Sequence, residues 1–298
     1  MKIGVTVPNF GPGATVASLR AWAALVEDAG FDFLMVGDHV AATGDVTASY
    51  PGPFWEPLTL LGYLAGITRR AELGTTVLVV PYRDPLLTAR SLAGIDQLSD
   101  GRLIVGVGVG WAREEFAVLG VDPRRRGELT DTYLEAVLAL WADDVVPVAG
   151  RDVDTRPRPH RRPHPPLWVG GNGDAARRRA VRFGAAWHPL RPRAGWLRRE
   201  GVPALRAAAA GGPVPDLVPR IVLDPTDGPR PDDARLAGQG HPDQIRADLD
   251  ELRSLGATHV LLDPHRDAAG GTPRSGAAAG EEHARERALL ERAAGWIL

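Results

Sequence analysis

The feature that most constrains this chain is an alternation of two hydrophobic periods, repeated eight times along 298 residues. Short β-branched or continuously apolar runs predict strands at 3–7, 31–36, 72–80, 101–111, 167–170, 185–188, 218–223 and 258–263. Apolar residues at helical spacing between them predict helices at 15–29, 57–70, 85–98, 127–142, 174–183, 195–210, 242–255 and 281–296. Strands and helices in strict alternation mean parallel strands with crossover helices, and eight units close into one α/β (β/α)8 TIM barrel spanning 1–298. Loop excursions are expected near 40–56, 145–166 and 264–280, the second rich in Pro and Arg and the third expected to be mobile.

Such a barrel carries its active site at the C-terminal ends of its strands. Asp38 and His39 end strand two, Gly108 to Trp111 end strand four, and Gly170 to Asn172 end strand five, so all are expected at one mouth. In GRLIVGVGVGW, residues 101–111, Gly106, Gly108 and Gly110 interrupt an apolar run. Two readings stand side by side: a flat ligand approaching the backbone, or glycines that merely pack the barrel. The Gly-x-Gly-x-Gly spacing is not a dinucleotide fingerprint.

Composition narrows the chemistry. A formal charge of -2 supplies no basic excess for a nucleic-acid partner. There is no cysteine, hence no disulfide, thiolate nucleophile or Cys-type zinc site, and Lys2 is the only lysine, which leaves no Schiff-base candidate along the barrel. No apolar run reaches 18 residues, so no membrane span is expected and a cytoplasmic protein acting on a small-molecule substrate is the expectation.

Five segments carry a resemblance: VPNFGP near the N-terminus, GFDFLMVGDHV at 30–40, ELGTTVLVVPYRDP at 72–85, LSDGRLIVGVGVGWAREEF at 98–116 and PPLWVGGN at 165–172. Together they resemble the bacterial luciferase-like monooxygenase superfamily, and within it the branch of F420-dependent oxidoreductases; the likeness returns over 238–263. The resemblance implies a barrel that binds the deazaflavin coenzyme F420, or alternatively FMN, in its mouth and passes a hydride between that ring and an organic substrate. It implies His39 as general acid/base, with Asp38 orienting it or hydrogen-bonding the ring. It also implies a cis peptide bulge behind the ring at Thr75, Thr76 and Val77. Gly108 and Val109 would floor the ring. Gly170, Gly171 and Asn172 lead into a helix start suited to a phosphate, with Arg178 or Arg177 assisting. Trp55, Trp111 and His188 are the expected substrate walls, together with Phe54 and Tyr50 from the same loop. Trp111 stands where sugar-phosphate dehydrogenases of the family carry a catalytic glutamate, which argues against that substrate. Glu115 is expected to be structural, paired with an arginine. Family members are commonly dimers, which leaves a homodimer open.

Two rivals remain at this stage. A metal-dependent hydrolase would need Asp38, His39, His188, Asp263 and His265 to converge, yet strand one carries no His-x-His and no helix carries His-x-x-x-His. A non-catalytic flavin-binding barrel is the other.

Overall fold

The computed structural model describes residues 1–233, 235–265 and 277–298, with the side chains of 277–280 set aside. Its eight parallel strands are β1 (Lys2–Thr6), β2 (Phe33–Val36), β3 (Glu72–Thr75), β4 (Leu103–Gly108), β5 (Leu167–Gly170), β6 (Ala186–His188), β7 (Arg220–Val222) and β8 (His259–Asp263). They pair in the order β7-β8-β1-β2-β3-β4-β5-β6. Single bridges at Trp187↔Leu217 and Leu190↔Arg220 join β6 to the chain at β7 and nearly close the ring. The expected (β/α)8 barrel is therefore the fold.

The main helices that follow the strands are α1 (Val16–Ala29), α2 (Pro57–Ile67), α3 (Pro85–Leu98), α4 (Arg126–Ala142), α5 (Asp174–Arg182), α6 (Val202–Ala208), α7 (Pro242–Ser254) and α8 (Ala277–Ile297), with short helices at Gly44–Thr47 and Arg113–Val118 in the loops. Their starts follow local chemistry. Asp84 accepts from the backbone of Leu86 and Leu87 ahead of Pro85, and Glu56 accepts from Thr59 ahead of Pro57.

Alternation along the strands separates two cores. Phe33, Met35, Ile104, Trp168, Val218 and Leu261 fill the barrel interior, where Phe33 meets Trp168 edge-on at 5.5 Å. Leu34, Val36 and the other outward residues pack under the helices.

Several boundaries differ from expectation. The run 72–80 is not one strand: β3 stops at Thr75, the Thr76–Val77 peptide is cis, and Leu78–Val79 resumes pairing against β4. Helix 195–210 begins as a wide π-type turn at Leu197–Gly201 before α6. The 145–166 excursion holds an antiparallel hairpin, Val145–Val148 with Arg151–Asp154, where half-buried Val146 and Val148 alternate with exposed Val145 and Pro147. Most of the 264–280 excursion lies outside the described residues. Among the described residues, no helix is long and apolar enough to cross a membrane.

Candidate active site

A cavity of about 250 Å³ opens at the C-terminal ends of the strands. Asp38, His39, Thr76, Val77, Gly108, Val109, Gly170, Gly171, Trp111 and His188 all line it. Most of the residues expected from sequence thus meet at one mouth, Phe54 and Tyr50 with them.

Thr75, Asn172, Arg177, Arg178 and Trp55 are not among its lining residues. Thr75 is buried one residue behind, its hydroxyl donating to Gly106 O at 2.6 Å. Asn172 ties the loops after β5 and β6 together, giving its amide to Leu190 O at 2.8 Å and accepting from Leu190 N at 2.7 Å. Arg178 is exposed on α5; its buried neighbour Arg177 instead donates to Asn172 O at 2.7 Å. Trp55 turns its indole toward Ala14 O at 2.6 Å, leaving Phe54 and Tyr50 of the same loop as the aromatic walls.

The glycines of β4 divide between the two sequence readings. A Cβ on Gly106 would lie 1.9 Å from Thr75 O, so this glycine lets neighbouring strands approach and serves barrel packing. A Cβ on Gly108 would lie 2.4 Å from Val77 Cγ2, and one on Gly170 would lie 2.8 Å from Val77 Cγ1. These two leave room for the Val77 side chain while their backbone faces the cavity.

His39 is held by Glu115. The imidazole Nδ1 lies 2.7 Å from Glu115 Oε2, while Glu115 Oε1 accepts from the backbone of Val40 at 2.5 Å and Ala41 at 2.9 Å. Burial pushes the Glu115 carboxyl up, but the hydrogen bonds from His39 and the two amides outweigh it and hold the group below the usual carboxylate range. An ionised Glu115 accepts the Nδ1 proton, so in the neutral tautomer of the ring Nε2 is the accepting nitrogen. The expected arginine partner of Glu115 is therefore replaced by the histidine itself. The residue sits on a short helix, Arg113–Val118, absent from the sequence reading. Glu114 of that helix accepts from Gly44 N at 2.9 Å and Asp45 accepts from Glu114 N at 3.1 Å, clamping the 40–56 loop to it.

Asp38 does not orient His39. Both its oxygens receive the Arg83 guanidinium, at 2.6 and 2.8 Å, and one also receives Val79 N at 2.8 Å. Arg83 reaches Glu56 as well, at 2.8 Å. The group fastens the chain beyond the cis peptide to the end of β2.

His188 is fixed at the cavity floor, with Nδ1 2.5 Å from Val218 O and Nε2 3.0 Å from the Thr76 hydroxyl. A carbonyl only accepts, so Nδ1 carries the proton and Nε2 takes one from Thr76. Burial and the nearby Arg220 push the His188 pKa down to about 4, which leaves the ring neutral.

Sequence reasoning missed Arg220. It opens β7, lines the cavity, donates to Thr76 O at 3.2 Å and pairs with Asp263 at 2.7 Å. Asp263 also receives Arg191 at 2.6 Å and the Thr6 hydroxyl at 3.0 Å. Burial raises the Asp263 carboxyl, and the two guanidiniums outweigh it and hold it far below the usual range. The available signal was its partner Asp263, which stands at the C-terminal end of β8. The convergent metal set of the hydrolase rival does not form: Asp38 and Asp263 are taken by arginines, His188 by Thr76 and Val218, and His39 by Glu115.

A parallel barrel with a cis bulge, a carboxylate-held histidine and an aromatic wall at one mouth defines a class of ligand-binding TIM barrel. The luciferase-like monooxygenase family matches residues 1–226, and the chain belongs to it. An uncharacterized protein of Mycobacterium tuberculosis is 36% identical over 192 residues, which are 58% of this chain and 66% of that protein. The FMNH2-dependent dimethylsulfone monooxygenase of Pseudomonas putida is 27% identical over 201 residues, 61% of this chain and 54% of the relative. The matched part thus spans between about half and just under two thirds of these relatives. Among solved structures, an F420-dependent secondary alcohol dehydrogenase superposes with a TM-score of 0.74 at 16% identity, covering 100% of this chain and 99% of the other. The monooxygenase RslO1 from Streptomyces bottropensis gives 0.72 at 24%, covering 98% of each. At these identities the likeness is one of fold.

Proposed function

We propose that this chain is an oxidoreductase that exchanges a hydride between coenzyme F420 and a small alcohol–carbonyl pair, with His39 as general acid/base. The observation that carries the reading is His39, held from behind by Glu115, facing the same cavity as Gly108 and Gly170. The lining fits a flavin-type ring: the glycines that leave room for Val77 present bare backbone to the cavity, between apolar side chains and backbone polar groups. Beyond Gly171, helix α5 starts at Asp174 after the N-cap Gly173, which offers no side-chain cap, so its first N–H groups suit an anionic tail. When bound, the deazaflavin supplies a two-electron carrier.

The protein's own residues do the rest. Interconverting an alcohol and a carbonyl moves one proton at the substrate oxygen, and His39 Nε2 takes or returns it. Ionised Glu115 stabilises the charged imidazolium and fixes the ring's orientation. Trp111, Phe54 and Tyr50 pack around His39 at ring distances of 5.5, 5.2 and 5.6 Å and exclude water. Neutral His188 and the Arg220–Asp263 pair hold the Thr76 end of the bulge.

A second reading, an FMN-dependent monooxygenase, is favoured by the relative that uses FMNH2, whose identity exceeds that of the F420-dependent structure. Titration of the apoprotein with each coenzyme, followed by ring fluorescence, separates them. Tight binding of F420 over FMN supports the proposal, the reverse order replaces it with the second reading, and binding of neither by a folded sample overturns both.

A further inference from the structure

We infer that His265, Glu282 and Glu286 form a site for one divalent first-row metal ion, of the zinc or manganese class, where the end of β8 meets α8. One donor atom from each residue lies within 4.8 Å of the others. His265 Nδ1 and Glu286 Oε1 are 3.0 Å apart, close to the roughly 3.3 Å between neighbouring ligands of a tetrahedral ion with bonds of about 2.0 Å. Glu282 and Glu286 stand one helical turn apart, so their carboxylates share a face of α8 and repel each other unless a cation lies between them.

The burial of Glu286 points to a ligand. The residue is 5% exposed, and its one hydrogen bond among the described residues is with His265. Its Oε2 is sealed from solvent and has no partner among the described residues. Buried carboxylate oxygens are rarely left so, and the neighbouring cations among the described residues are spent elsewhere. Arg191 and Arg220 serve Asp263, and Arg287 donates to Ser18 Oγ at 2.9 Å. A divalent ion balances the two glutamates and gives Oε2 its partner.

The donor set selects the ion. One imidazole with two carboxylates suits zinc or manganese, whereas magnesium and calcium prefer oxygen alone. His265 is oriented for this by its surroundings: its backbone N–H donates to Asp263 Oδ1 at 3.2 Å, and its ring meets Phe10 edge-on at 4.7 Å. Its ring lines the cavity mouth while Nδ1 faces Glu286, so the ion fastens α8 against the wall of the site without entering the reaction.

The test uses the full chain, stripped with a chelator and free of coenzyme, so its outcome is independent of the proposed redox activity. Zn2+ is titrated by calorimetry, Co2+ by its visible absorption, and Mg2+ and Ca2+ serve as controls. The expected result is one equivalent of Zn2+ or Co2+ per chain, a rise of several degrees in Tm on loading, and a loss of at least 100-fold in affinity in both Glu286→Gln and His265→Ala. Each variant's unfolding is measured without metal to establish that it is folded. No saturable binding by the wild type, binding of Mg2+ or Ca2+ alone, or wild-type affinity in folded Glu286→Gln would overturn the inference.

Discussion

His39 and Glu115 are 76 residues apart in the chain and 2.7 Å apart at the barrel mouth. The contact joins the loop after β2 to the short helix after β4, and it makes the orientation of one imidazole depend on two segments distant in the chain. Glu115 also caps Val40 N and Ala41 N, so one buried carboxylate sets both ring and loop.

Glu115→Gln keeps the size of the side chain and removes its charge. Its amide can still accept from the backbone, but it no longer stabilises a charged imidazolium. Steady-state kinetics are expected to show kcat reduced by about 10- to 100-fold with coenzyme affinity little changed. Glu115→Ala also strips the caps from Val40 and Ala41, and is expected to raise KM as well.

Gly108 and Val77 are coupled by volume. Gly108→Ala places a methyl 2.4 Å from Val77 Cγ2, and chemical denaturation is expected to show a loss of about 1–3 kcal/mol from overpacking. Val77→Ala removes the clashing methyls, so the double variant should recover part of that loss, and a double-mutant cycle measures the coupling. Additive losses would show that Gly108 serves another purpose.

Arg83 neutralises Asp38 in the interior, and Asp38 has no solvent to fall back on. Arg83→Met strands a buried carboxylate and is expected to cost about 3–5 kcal/mol in urea unfolding. The joint variant Arg83→Met with Asp38→Asn should be less destabilised than Arg83→Met alone.

The buried imidazole of His188 gives a pH dependence of known sign. Its pKa is pushed from 6.5 down to about 4 in the fold, so the unfolded chain takes up a proton that the native state refuses. Its stability contribution is complete above about 6.5 and declines as pH falls toward 4, by about 3 kcal/mol at the lower end. His283, also held near 4 by burial, adds to the slope in the same direction. Urea midpoints measured from pH 7 to 5 should fall in the wild type and fall less steeply in His188→Asn.

The barrel was legible in the sequence because its signals are local. Runs such as Leu103–Val107 and stops such as Gly30 mark units that need no knowledge of their neighbours. Strand ends then place Asp38, His39, Gly108 and Gly170 at one mouth by topology alone. Pairing was not legible. Nothing local tells that Asp38 belongs to Arg83, or that Glu115 reaches back to His39, because both contacts close over long separations. Trp55 and Phe54 show the same limit: adjacent aromatics of one loop point to different neighbours, Ala14 O for Trp55 and the cavity for Phe54. The break in 72–80 was equally hidden, since Thr76 and Val77 have ordinary strand propensity and only the family likeness pointed to a cis bond.

The most direct test of the account is anaerobic single-turnover exchange between protein-bound F420 and a panel of small secondary alcohols, comparing wild type with His39→Gln. The account predicts coenzyme reduction by at least one alcohol in the wild type, slowed by about 10²- to 10⁴-fold in His39→Gln with coenzyme affinity unchanged. Equal rates in the two proteins would contradict the acid/base role of His39. No reduction by any alcohol, with F420 tightly bound, would contradict the alcohol–carbonyl chemistry.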